Sequence, residues 1–194
     1  SMKNGTNRRQ FLRRAAGVAA GGIVLPYVVS AKSLGADGSV APSNRITMAG
    51  IGVGWQGPAN MEQFLQLDDC RVVAICDIDK NHLREAVNTV NDRYGNRDCA
   101  AYADYRDVLA RKDIDAVVIS VPDHWHGIIA VAAAEAGKDI YGEKPLSHDF
   151  RQGRAICDAV RRYGRIWQTG SWQRSEERFW FACNLVRSGR IGKV

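Results

Sequence analysis

Cysteine is scarce in this chain and shows no pairing pattern: the five, at 70, 76, 99, 157 and 183, are odd in number and contain no Cys-x-x-Cys spacing. That leaves little for zinc, iron–sulfur or thioredoxin-like redox chemistry. The plainer reading is small buried apolar groups, with Cys70 and Cys76 in or beside an apolar strand pattern and Cys157 and Cys183 on apolar helix faces. An oxidising compartment would permit a disulfide without requiring one. A membrane-spanning run is also missing, because the apolar stretch 15–29 is short and is broken by Gly21, Gly22 and Pro26. Stable membrane insertion is not expected. No internal repeat is visible. Acidic residues are absent from residues 1–31, which hold Lys3, Arg8, Arg9, Arg13 and Arg14, so five of the six surplus positive charges sit there. The remainder has almost no net charge and therefore no global basic field for a nucleic acid.

What is present begins with an address. The basic start, the apolar run and the small residues of Val29-Ser30-Ala31 read as an export segment. Asn7-Arg8-Arg9-Gln10-Phe11-Leu12-Arg13 resembles the twin-arginine signal, with Asn7 where Ser or Thr is commoner; an ordinary secretory signal or a basic amphipathic helix is the alternative. The expectation is a signal peptide at 1–31, a Gly/Ser/Ala-rich linker at 32–44, and a mature protein that starts near Lys32 in the periplasm.

At 194 residues the chain can bury one substantial core but is short for a two-domain enzyme. Apolar runs at 46–51, 71–76, 99–102, 115–121, 138–142 and 165–169 read as strands. Helical spacing separates them: Met61, Phe64 and Leu65; Leu83, Ala86, Val87 and Val90 within 80–94; a short helix at 104–111; Ile129, Ala132, Ala133 and Ala136 within 125–136; and Ile156, Ala159, Val160 and Tyr163 after a cap at Ser147. Strict alternation predicts an α/β fold, a doubly wound parallel sheet with helices on both faces. The dinucleotide-binding domain is expected at 45–170. Residues 171–194 are expected to begin a second α+β domain that is missing after its first helix, 175–186, whose stripe is Phe179, Ala182, Cys183 and Val186. Residues 191–194 read as the start of a further strand.

Gly52-Val53-Gly54-Trp55-Gln56-Gly57 is a GxGxxG between the first strand and the first helix. Gly52 suits the tight turn, Gly54 the close approach of a pyrophosphate, and Gly57 the packing of helix on sheet; Trp55 and Gln56 complete the loop. Helix N-terminal amides would then face the phosphates. Asp77 ends the second strand, where a carboxylate accepts ribose hydroxyls and repels a 2'-phosphate, which favours NAD over NADP. Asp79 is explained equally well as a helix cap.

Together with Pro122-Asp123-His124-Trp125-His126-Gly127 and Gly142-Glu143-Lys144-Pro145-Leu146, these features make residues 45–194 resemble the glucose-fructose oxidoreductase, inositol dehydrogenase and rhizopine-catabolism family, Gfo/Idh/MocA. Gly142 stands where that family usually has Cys or another small residue. The resemblance implies an NAD-dependent oxidoreductase. Lys144 would contact the nicotinamide ribose and the reacting hydroxyl, Glu143 would bind ribose or orient Lys144, and His126 would lie by cofactor and substrate as a second catalytic candidate. Pro122 would shape the turn, Asp123, His124, Trp125 and His126 would hydrogen-bond and wall the nicotinamide side, and Gln173 and Arg174 would reach cofactor or substrate from the crossing into the second domain. An ion pair at the seam explains Arg174 nearly as well. The Asp123–His126 cluster suggests a metal only superficially, and none is expected.

The resemblance implies hydride transfer between NAD and a secondary alcohol of a sugar, cyclitol or sugar derivative. Two alternatives stay open: an NAD-dependent glycoside hydrolase acting through transient oxidation, and a noncatalytic dinucleotide-binding fragment. A homo-oligomer is expected from the apolar surface around Phe179 and Trp180.

Overall fold

A computed structural model describes Gly35 and residues 40–193. The expected signal at 1–31 and much of the expected linker lie outside the described residues, as does Val194. The fold is that of the unit Pro42–Val194.

Strands β1 (Ile46–Ile51), β2 (Cys70–Cys76), β3 (Ala100–Tyr102), β4 (Ala116–Ile119), β5 (Asp139–Glu143) and β6 (Trp167–Gly170) form one sheet in the order β3-β2-β1-β4-β5-β6. Every pairing is parallel. Parallel neighbours need crossovers, and five helices supply them: α1 (Gly57–Leu65), α2 (Lys80–Tyr94), α3 (Tyr105–Ala110), α4 (Asp123–Glu135) and α5 (Phe150–Arg162). The chain leaves β3 at one edge and re-enters as β4 beside β1. The order therefore reverses between β1 and β4, which opens a crevice outside their carboxyl ends. This is the doubly wound sheet that the alternation predicts.

Side-chain alternation sorts the strands onto two cores. Ala49, Ile51, Ala74, Cys76, Val117 and Ile119 pack with Ile129, Ala133 and Ile156 on one face. Val53, Val72 and Ile75 pack with Met61, Leu65 and Val90 on the other, beside Met48, Cys70 and Val118. Lys138 is buried at the amino edge of β5, where its ammonium donates to the carbonyls of Arg111 at 2.5 Å and Ile114 at 2.8 Å.

Caps fix the helix starts. Asp79 accepts from the N–H groups of Asn81 and His82, and Asp104 from that of Arg106. The expected cap at Ser147 is corrected: Asp149 takes the extended backbone before α5 and accepts from the Gln152 N–H at 2.9 Å, while Ser147 Oγ donates to the Asp149 carbonyl.

A short 3₁₀ turn, Trp172–Ser175, leads to α6 (Glu177–Arg187). The helix forms as expected but buries no side chain: Phe179, Trp180 and Phe181 are 46%, 64% and 58% exposed, and Cys183 is exposed rather than buried. Both sheet faces are already covered by α1–α5, and no residue of this stripe belongs to their hydrophobic clusters. Residues 190–191 form a turn and 192–193 have no regular structure, so the expected strand at 191–194 is absent as far as it is described.

Candidate functional site

Three glycines shape the mouth of the crevice, each for a different steric reason. Gly52 has φ +83° at the end of β1, and a Cβ there would collide with the Ser120 carbonyl at the end of β4. Gly57 begins α1 so close to the turn that a Cβ would strike the Gly52 carbonyl. A Cβ on Gly54 would come within 3.2 Å of His82 Nδ1. The cradle between β1 and α1 is thus bare backbone. No side chain caps α1, whose N-cap is Gln56; Pro58 in its first turn has no N–H and the Asn60 N–H donates to the Gln56 carbonyl, which leaves the N–H groups of Gly57 and Ala59 at the helix start. Trp55 stands almost wholly in solvent.

Asp77 is built into this loop. Its Oδ2 accepts from the Val53 N–H at 2.7 Å and its Oδ1 from the Asp79 N–H at 2.8 Å. Each oxygen keeps a second lone pair for a ribose hydroxyl. Backbone N–H groups of His82 and Asn81 hold the Asp79 carboxyl below the usual carboxylate range, as a cap should be. Cys76, next to Asp77, is pushed up to about 12, first by burial and then by the Asp77 charge. Its thiol is no nucleophile.

After β4, Pro122 is the N-cap of α4, and Asp123 stands exposed in its first turn. Trp125 packs edge-on against Tyr105 with ring centroids 6.5 Å apart. His126 points inward and is 2% exposed. Its Nδ1 lies 2.6 Å from the Pro145 carbonyl and its Nε2 2.8 Å from the Val121 carbonyl. A neutral ring donates to one of these and a doubly protonated ring to both. Both ring nitrogens thus lie within hydrogen-bonding distance of backbone carbonyls, one in the α4 turn and one in the lysine turn.

That turn follows β5. Lys144 is exposed, and the Lys144–Pro145 peptide is cis. Glu143 is 3% exposed; its Oε1 accepts from Asn60 Nδ2 at 2.8 Å and its Oε2 from the Lys144 N–H at 3.2 Å. Gly142 leaves room for the Trp167 indole, which a Cβ would strike. Gln173 and Arg174 are exposed in the 3₁₀ turn after β6.

The carboxyl ends of β1, β2, β4, β5 and β6 therefore gather the glycine loop, Asp77, residues 122–126, Glu143 with Lys144, and the Gln173-Arg174 turn along one edge of the sheet. Asn60, Ser120 and His82 were not apparent as site residues from the sequence. Asn60 carried a signal nonetheless, since it is a polar residue one turn after Gly57 and adjacent to Met61 on the buried side of a helix. Among the described residues no group of three or more His, Cys, Asp or Glu could hold a metal ion, and no helix is long and apolar enough to cross a membrane.

Comparison with known proteins agrees with this fold. The Gfo/Idh/MocA family model, described as an oxidoreductase family with an NAD-binding Rossmann fold, matches residues 46–171. A glycosyl hydrolase family 109 protein of Shewanella putrefaciens is 31% identical over 207 residues, covering 97% of this chain and 44% of that protein. An alpha-N-acetylgalactosaminidase of Shewanella oneidensis is 31% identical over 211 residues with the same coverage. The chain spans less than half the length of these curated relatives. Among solved structures, a myo-inositol 2-dehydrogenase of Lactobacillus plantarum superposes with a TM-score of 0.69 at 28% identity, covering 77% of this chain and 43% of that one.

Proposed function

Because this chain belongs to the Gfo/Idh/MocA oxidoreductase family, whose NAD-binding Rossmann fold spans residues 46–171, we propose that it is the cofactor-binding part of an NAD-dependent enzyme that cleaves glycosides through transient oxidation of a sugar hydroxyl. The observation that carries the glycosidase reading is the likeness to the family 109 glycosyl hydrolases and the alpha-N-acetylgalactosaminidase, which extends over 97% of the chain.

The cradle fits the cofactor, since bare glycine backbone and the Gly57 and Ala59 N–H groups at the start of α1 suit a pyrophosphate and Asp77 suits a ribose diol. The glycine loop and Asp77 would hold NAD, which would supply reversible hydride exchange with a carbinol carbon. Lys144 would stabilise the oxygen of that carbinol as its proton leaves. That exchange would make the C–H beside the carbinol carbon acidic enough for its proton and the glycosidic oxygen to leave together as the free alcohol, and addition of water with return of the hydride would give the free sugar. Glu143 would orient the lysine turn, Pro122 and Asp123 would wall the nicotinamide side, and Gln173 and Arg174 would approach the substrate from the β6 edge. His126 would position Pro145 and with it Lys144.

The test is to incubate the protein with NAD and an aryl α-N-acetylgalactosaminide. Phenol release that needs NAD yet accumulates no NADH supports the glycosidase. A second reading, net dehydrogenation of a sugar or cyclitol, is favoured by the likeness to myo-inositol 2-dehydrogenase; NADH accumulating in step with a keto product would establish it and remove the first.

We also propose export by the twin-arginine route, with 1–31 as signal and 32–44 as linker. Replacing Arg8 and Arg9 by lysine should abolish periplasmic accumulation. A homo-oligomer remains our expectation, checked by light scattering across a concentration series and by whether Phe179→Ser with Trp180→Ser lowers the mass.

A further inference from the structure

Helix α1 buries Gly57, Met61 and Leu65 together with one polar side chain, Asn60, which is 8% exposed. Every hydrogen-bonding group of that side chain is used. Nδ2 donates to Glu143 Oε1 at 2.8 Å and to Ser120 Oγ at 3.1 Å, while Oδ1 accepts from Gln56 Nε2 at 3.4 Å. The amide orientation follows, because the flipped form would set Oδ1 against a carboxylate. On its other side Glu143 Oε1 rests against Gly170 of β6, where a Cβ would stand 2.5 Å away. None of the ion pairs among the described residues involves Glu143. A carboxylate buried without a cation depends on its hydrogen-bond donors, and the one from Asn60 is its shorter. A continuous polar chain thus runs from Gln56 at the start of α1, through Asn60 and Glu143, to the backbone of Lys144.

We propose that Asn60 is a positioning residue for Lys144: it fixes the Glu143 carboxylate, which holds the Lys144 N–H, so that the helix facing the glycine cradle and the lysine turn behave as one unit. This rests on the dinucleotide-binding reading for its purpose, but the link itself is testable without the cofactor. Asn60→Asp turns the donor into a carboxylate facing Glu143. Glu143→Gln in the same chain restores a donor–acceptor pair with its sense reversed, the introduced amide at position 143 donating to the introduced carboxylate at position 60.

The experiment measures acetylation of Lys144 by mass spectrometry in folded, cofactor-free protein, and NAD affinity by calorimetry, for the wild type, N60D, E143Q and N60D/E143Q. Lys144 labelling should quicken about threefold in N60D and return to the wild-type rate in the double variant, a non-additivity that loss of packing alone does not produce. NAD affinity should fall about tenfold in N60D, the size expected when a buried hydrogen-bonded pair is broken. Wild-type labelling in N60D, or a double variant as perturbed as N60D, would overturn the proposal. Should N60D not fold, N60S shortens the side chain beyond reach of Glu143, and the same quickening is expected from it; an unchanged rate would overturn the proposal equally. Absence of NAD binding by the wild type would contradict the functional reading while leaving the labelling test of the Asn60 link intact.

Discussion

The Asp77 carboxylate accepts a hydrogen bond from the Val53 N–H at 2.7 Å, so the residue expected to read the cofactor's ribose also fastens the end of β2 to the glycine loop after β1. The bond gives Asp77 a structural role beside the proposed one, and substitution should separate them. Asp77→Ala should weaken NAD binding and also lower stability by about 1–3 kcal/mol, the usual consequence of leaving a partly buried donor without its acceptor. Denaturant unfolding monitored alongside calorimetry checks this; weaker binding with unchanged stability would show that the loop does not depend on Asp77.

Gly57→Ala places a Cβ against the Gly52 carbonyl, which is backbone and cannot swing aside. We expect a loss of about 1–3 kcal/mol from this overpacking, seen as a lower melting temperature. Gly95→Ala meets no neighbour but sits at φ +65°, so its smaller effect separates backbone strain from collision.

Much of the fold was legible because strand and helix periods differ and because glycine and aspartate punctuate the boundaries. Gly52 ends β1, Asp77 ends β2, and Asp79 reads as a cap from type and place alone. The residues that escaped do so through long-range partners. His126 stands out by residue type, but the carbonyls beside its ring, of Val121 and of Pro145 a strand away, are set by the fold. Asn60 meets Glu143 only because β4 and β5 lie where the sheet order sets them. Ser147 and Asp149 are both good caps by type, and the extended backbone at 149 decides between them. Helix α6 has the right stripe, but periodicity names a face and not what covers it.

Acid stability should depend on the helix caps. Asp79 and Asp104 have carboxyls held below their ordinary value of 3.8 by backbone N–H groups, of His82 and Asn81 for the first and of Arg106 for the second. A depressed folded value means that the stabilisation is present above the unfolded value and is lost as pH falls through the folded one. The stability gap between wild type and Asp104→Ala, measured by urea unfolding, should therefore be full near neutrality and shrink below the ordinary carboxylate range. A gap that does not change with pH would show that the cap acts without its charge.

Thiol chemistry should follow burial. Cys183 is exposed, Cys70 and Cys76 are buried, and Cys76 is raised to about 12 mainly by desolvation. Brief alkylation of native protein at mildly alkaline pH should label Cys183 first and spare Cys76 until denaturant is added. Early labelling of Cys76 would contradict the sheet packing around β2.

The central claim is that the β1–α1 cradle with Asp77 holds NAD. Titrating NAD and NADP separately into the folded protein by calorimetry tests it most directly. Tighter binding of NAD is expected, because the Asp77 carboxylate favours a ribose diol and repels a 2'-phosphate. Tighter binding of NADP would contradict it.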